Sequence, residues 1–286
     1  MKFFADTANP EEIAYCFSVG VNDGITTNPK IIESTGDLSK GFEYACKSIL
    51  DKYPNVPVSL ETDLRGLDVK NLDHIDPIKV KNVLLEQAET LYSWSKNVII
   101  KIPICQGGIW AARDLTKKGI RTNITACMTP YQALEASKSG IGYVSMFANR
   151  MLDAHIIELA GHSIDEIVSN SDWKKIVAEN KEKYFDEAWR KTLCEIAYVA
   201  KELDNNPNCE LIVGSIRGPE DIYKLVQAKP QIITIPTNIV KGLKDIYQLK
   251  KTERTISTFN IGNSLSHPMT QYTLEEFEKA ADAYRK

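Results

Sequence analysis

No stretch of this sequence is apolar for long enough to cross a bilayer, no block of basic residues stands out, and no two cysteines form a C-x-x-C pair. The first absence excludes a membrane-spanning helix, which needs about 20 apolar residues in a row. The second argues against nucleic acid or an anionic membrane as partner, as does a net charge of -3 from 35 Lys+Arg and 38 Asp+Glu. Cys16, Cys46, Cys105, Cys127, Cys194 and Cys209 mostly sit in apolar runs, so they read as reduced thiols filling a core. The N-terminus passes from Lys2 straight into Phe3, Phe4, Ala5 and Asp6 without the apolar stretch of a secretory leader, so a cytoplasmic protein is expected. The four histidines, His74, His155, His162 and His267, lack metal-ligand spacing. There is no H-E-x-x-H, Walker loop, nucleophile elbow or G-x-G-x-x-G.

What is present is an ordinary globular composition, 43% hydrophobic and 26% charged. Short apolar runs rich in β-branched residues alternate with helical stretches. The runs are Phe3 to Ala5, Gly24 to Thr27, Val56 to Leu60, Val98 to Pro103, Ile120 to Thr125, Ile141 to Phe147, Glu210 to Val213 and Gln231 to Ile235. Between them lie helix starts with a capping residue followed by proline, at Asn9-Pro10, Asn28-Pro29 and Thr129-Pro130. The stretch 151–206 reads as two or three charged helices, one of them Tyr184 to Leu203. The tail from Thr252 to Met269 reads as irregular, and Thr273 to Glu276 as a capping box for a last helix. Eight strands, each followed by a helix, imply a parallel sheet. At 286 residues, with no linker or repeat, they predict one domain over 1–286: an α/β chain closed as a (β/α)8 TIM barrel with an extra C-terminal helix.

The fourth strand holds the residue of most chemical interest. Val98, Ile100 and Ile102 share one face, and Ile99 and Lys101 the other. A lysine in a strand covered on both faces is partly desolvated, which disfavours its ammonium form. A shift from about 10.4 to about 7 raises the free-amine fraction about a thousandfold and suits Schiff-base chemistry. On an edge strand the same lysine would only guard against aggregation. In a barrel, active-site groups project from the C-terminal strand ends. There the sequence carries Asp6, Asn28, Glu61, Asn123, Thr125, Ser145, Arg150, Ser215 and Arg217. Each has an ordinary alternative. Asn28 caps the helix that Pro29 starts, Asp6 caps its own loop, Arg150 pairs with Asp153, and Ser215 and Arg217 form a turn with a solvated arginine. The case for a site is their convergence. A Schiff-base enzyme needs acid–base groups beside its amine, and two arginines with nearby hydroxyls suit a phosphate.

The residues resemble the transaldolase family of Schiff-base barrels over nearly the whole chain. The matching pieces run from Phe4 to Thr7, Thr26 to Pro29, Val58 to Asp63, Val98 to Pro103, Thr122 to Thr125, Val144 to Arg150 and Gly214 to Arg217. The resemblance implies that Lys101 forms the Schiff base with the C2 ketone of a ketose phosphate. It implies that Asp6 takes the C4 hydroxyl proton, and that Glu61 and Thr125 hold the catalytic water. Asn28 with neighbouring Thr27, Asn123 and Phe147 would meet the substrate, and Ser145, Arg150, Ser215 and Arg217 its phosphate. The implied reaction transfers a dihydroxyacetone unit from fructose 6-phosphate or sedoheptulose 7-phosphate to an aldose phosphate, and the resemblance implies neither a metal nor an organic cofactor. The alternatives are an aldolase-type lyase on fructose 6-phosphate, a sulfo-sugar transaldolase, or a sugar-phosphate binder without catalysis. Glu61 and Phe147 stand where the lyases tend to carry glutamine and tyrosine, so they resemble the transferases. Lys30 stands where the family usually has serine. Sugar phosphates are the expected partners, and a homo-oligomer the expected assembly.

Overall fold

The cap-and-proline signals all start helices. Asn9 accepts hydrogen bonds from the amides of Glu11 and Glu12, and Asn28 accepts from Ile31. Thr129 and Gln132 form a reciprocal capping box. The computed structural model describes residues 1–36, 38–140, 142–169, 172–256 and 265–285. Its strands are β1 (Lys2–Asp6), β2 (Gly24–Thr26), β3 (Val58–Glu61), β4 (Val98–Pro103), β5 (Thr122–Cys127), β6 (Gly142–Phe147), β7 (Cys209–Gly214) and β8 (Ile232–Ile235). They pair in parallel and in sequence order, and β8 returns to β1 to close the barrel.

The first helices are α1 (Pro10–Ser18), α2 (Pro29–Thr35), α3 (Phe42–Lys52), α4 (Pro77–Trp94), α5 (Gln106–Lys117) and α6 (Pro130–Ser137). Next come α7 (Ala148–Leu159), α8 (Ile164–Ser169), α9 (Trp173–Leu203) and α10 (Pro219–Ala228). Two single turns, α11 (Thr237–Val240) and α12 (Ile246–Leu249), precede α13 (Pro268–Ala281).

Alternation along the strands divides the interior into two apolar layers. Phe4, Ile99, Tyr143, Ile212 and Ile232 fill the inside of the barrel, with the Phe4 and Tyr143 rings edge to face at 5.8 Å. Val98, Ile100 and Ile102 face the other way, into the larger layer beneath the helices. Gly24 allows this packing: a Cβ there would stand 2.5 Å from the Phe4 ring. Lys101 shares the inward face with Ile99, one step nearer the C-terminal end. The register sets Lys101 beside Glu61 on β3 and beside Asn123 on β5.

Several boundaries differ from the sequence reading. β5 continues past Thr125 to Cys127 because Ala126 takes a left-handed conformation at φ 64°, which shifts the register against β6. The expected start of the sixth strand, Ile141, lies outside the described residues. The helix expected from Tyr184 starts at Trp173, where buried Trp173 and Val177 anchor its charged first half. The helix expected after Pro236 is one turn. The Thr273–Glu276 capping box does not form. His267 caps α13 with Pro268 in its first turn, so Thr273 lies mid-helix and bonds back to the Met269 carbonyl at 2.7 Å. Much of the tail expected to be irregular, 257–264, lies outside the described residues.

Candidate active site

Lys101 is 4% exposed, inside the barrel rather than on an edge. Its Nζ lies 2.8 Å from Glu61 Oε2 and donates to the Thr27 carbonyl at 2.9 Å. The Phe277 ring, from α13, covers it at 5.7 Å. Burial pushes the Glu61 carboxyl above its ordinary pKa, against the opposing charge of Lys101. A raised carboxyl beside an amine is a place to hold the proton that the amine must lose. Thr27 is fully buried, and its hydroxyl donates to the Ser59 carbonyl at 2.7 Å.

Asp6 ends β1 and opens into the same cavity as Lys101. Its Oδ1 accepts from the Thr26 hydroxyl at 2.6 Å, and Thr26 in turn meets Thr234. Burial raises the Asp6 pKa, while Thr26, the charge of Lys101 and Thr234 oppose the rise. On the opposite wall, Ser145 donates to Asn123 Oδ1 at 2.7 Å, and Asn123 donates to Ser59 at 3.2 Å. This chain fixes the amide of Asn123. The buried Thr125 hydroxyl has no hydrogen-bond partner among the described residues. A buried polar atom of this kind is ordinarily satisfied by water or ligand.

The cavity holds about 160 Å³ and is lined by Asp6, Asn28, Lys101, Ser145, Phe147, Arg150 and Ser215 among the expected residues. Asn28 does cap α2, through its carbonyl oxygen. Ser215 takes a left-handed conformation, φ 62°, and its carbonyl accepts from Asn149 Nδ2 at 2.7 Å. Asn149 also reaches Asp221, which accepts from the Arg217 amide at 2.8 Å. Asn149 thus clamps the loop after β7, a role its position in sequence does not announce.

Both arginines are already paired with acids. Arg150 does not meet Asp153. It contacts Glu276 of α13 at 2.5 Å and packs over the Trp173 and Tyr272 rings. Asp153 instead takes Arg217, which grips both of its oxygens and does not line the cavity. Sequence reasoning missed the cover altogether. Thr273, Glu276 and Phe277 of α13 line the cavity, and their spacing of three and four puts them on one helix face. That spacing was the available signal, obscured by reading Thr273 and Glu276 as a cap. Thr26 and Thr234 were also missed, although alternation puts both inside.

A larger cavity of about 390 Å³ lies beside α3 and α4, lined by Phe42, Glu61, Asp63, Arg65, Tyr284 and Arg285 among others. Among the described residues no lysine lines it, and Lys101 opens into the smaller cavity instead. Burial would raise the Asp63 carboxyl, but Arg65 and Arg285 hold it below its ordinary pKa.

Fold and site together define a (β/α)8 barrel built around a buried lysine–carboxylate pair, with a second acid in reach of the same cavity. The family model described as Transaldolase/Fructose-6-phosphate aldolase matches residues 3–286, and the chain belongs to that family. A probable transaldolase of Geobacter metallireducens is 32% identical over 279 residues, 98% of this chain and 97% of that one. A probable transaldolase of Thermodesulfovibrio yellowstonii is 30% identical over 286 residues, the whole of both chains. Among solved structures, 3-hexulose-6-phosphate synthase from Salmonella typhimurium covers 96% of this chain and 99% of its own at 11% identity and a TM-score of 0.45. Among the described residues, no helix is long and apolar enough to cross a membrane.

Proposed function

We propose that the chain is a transaldolase, moving a dihydroxyacetone unit from a ketose phosphate to an aldose phosphate. The observation that carries this reading is the buried Lys101 amine, 2.8 Å from Glu61 and in one cavity with Asp6. Lys101 Nζ attacks the C2 ketone and forms a C–N bond. Glu61 carries two protons in turn from the Lys101 nitrogen to the ketone oxygen, the first making the carbinolamine hydroxyl and the second releasing it as water to give the iminium. The unpartnered Thr125 hydroxyl is available to hold that water. Asp6 removes the C4 hydroxyl proton. The C3–C4 bond then breaks, its electrons pass into the iminium to give an enamine, and the aldose phosphate departs. Addition of the enamine to a second aldehyde reverses these steps. Asn28, Thr27, Asn123 and Phe147 shape the sugar site, and Ser145, Arg150, Ser215 and Arg217 surround the phosphate. The same reading takes 1–286 as one cytoplasmic domain that assembles as a homo-oligomer, with sugar phosphates as its partners.

An assay with fructose 6-phosphate, run with and without erythrose 4-phosphate, tests the reaction type. Sedoheptulose 7-phosphate appearing only with acceptor supports the transferase. Free dihydroxyacetone released rapidly without acceptor moves the chain to the aldolase side of the family. Inactivity with phosphates but turnover of a sulfonated ketose assigns the sulfo-sugar reaction.

A further inference from the structure

Glu276 has no part in the proposed chemistry, yet its carboxylate occupies the ground where an anion would bind. It lies on the cavity-lining face of α13, with Thr273 and Phe277. One oxygen contacts Arg150 Nη2 at 2.5 Å, and the other accepts from the Tyr272 hydroxyl at 3.1 Å and lies 3.8 Å from Lys30 Nζ. Of the five charged residues that line the cavity among the described residues, Lys101 and Asp6 lie at its reacting end. The other three, Lys30, Arg150 and Glu276, form one cluster. A carboxylate and a phosphate make the same charge-assisted contacts to a guanidinium, so they compete for it. Lys30 is 59% exposed and its contact with Glu276 is long, so Arg150 is the main attachment.

We propose that Glu276 is a specificity-determining residue: a built-in carboxylate that occupies the anion site on Arg150 and Lys30 until the acid group of a substrate displaces it. The substrate class follows, and it rests on the transaldolase reading for the reaction alone. A ketose with a terminal phosphate replaces one charge-assisted partner of Arg150 by another carrying more charge. A neutral ketose reaches Lys101 without breaking the Arg150–Glu276 contact, and gains nothing from the two cations. Return of Glu276 to Arg150 also helps expel the phosphorylated product.

The test titrates inorganic phosphate into the full-length protein by calorimetry, comparing wild type with Glu276→Gln. Removing the competing charge is expected to tighten phosphate binding roughly tenfold, about 1.4 kcal/mol. The KM for fructose 6-phosphate falls in parallel. Arg150→Met in the Glu276→Gln background abolishes the gain. Tyr272→Phe loosens the other side of the carboxylate and gives a smaller gain of the same sign, so the test survives poor folding of either variant. Equal or weaker phosphate binding in both Glu276→Gln and Tyr272→Phe overturns the proposal. Failure of the reaction reading looks different: no ketose then forms an adduct on Lys101, and the phosphate titration still decides the role of Glu276.

Discussion

The guanidinium of Arg217 grips both oxygens of Asp153, a residue whose own side chain is 2% exposed. The two lie 64 positions apart and tie the loop after β7 to α7. In the proposed reaction Arg217 turns from this acid to the substrate's phosphate. The pair therefore has a structural effect and a binding effect that mutation can separate.

Arg217→Ala should raise the KM for fructose 6-phosphate by an amount equivalent to roughly 1–3 kcal/mol, the usual loss for a hydrogen bond to a charged group. It should also lower Tm, because Asp153 is left buried without its cation. Arg217 itself is 45% exposed, so solvent screens the pair and the stability loss stays near about 1 kcal/mol. Asp153→Asn added to Arg217→Ala should restore Tm and leave KM high. Recovery of both by the double variant removes Arg217 from the substrate site.

Asp6 should behave as a residue that costs stability and supplies chemistry. Its folded-state pKa is raised, chiefly by burial, so the unfolded chain gives up this proton at lower pH than the fold does. The fold is free of the penalty below the ordinary value of 3.8 and loses stability as pH rises through the folded value. Asp6→Asn should therefore raise Tm at pH 7.5, with the gain shrinking as pH falls toward 4. The same variant should lower kcat by about 10²–10⁴, the range for losing an acid–base group. Thermal melts between pH 4 and 8, with kcat at pH 7.5, check both halves. A variant that is less stable at pH 7.5 contradicts the account.

His155 offers the opposite sign, away from the site. It sits on α7 between Glu158 and Glu195, with ring nitrogens 3.3 and 3.1 Å from their carboxylates. Burial alone would lower its pKa, but the two acids outweigh it and hold the imidazole at about 9. The stabilisation is complete below the ordinary value of 6.5 and is lost as pH rises through about 9. Urea melts should show wild type losing up to about 1.4 kcal/mol per pH unit across that window. His155→Gln should lack this slope. Parallel profiles for the two proteins would show that the imidazole is not charged in the fold.

Much of this molecule is legible in its sequence, because the informative signals are local. Alternation put Lys101 and Ile99 on one face, and both point into the barrel. Cap-and-proline pairs placed the starts of α1, α2 and α6. What escaped depends on distant partners. Nothing local to Glu276 reveals that it meets Arg150, 126 positions earlier, or that Asp153 belongs to Arg217 and not to Arg150. α13 was placed too late because Thr273 and Glu276 imitate a capping box, whereas His267 and Pro268 start the helix. β5 was cut short because a strand that bulges at Ala126 keeps no strict alternation. That α13 covers the site was missed, and with it the acid that guards the anion position.

The proposed reaction stands on Lys101 as its nucleophile. Borohydride reduction in the presence of fructose 6-phosphate, followed by peptide mass mapping, tests it directly. A dihydroxyacetone-derived adduct is expected on Lys101, absent from the other lysines and lost in Lys101→Met together with all turnover. Turnover that survives Lys101→Met, or an adduct mapped to another lysine, would contradict it.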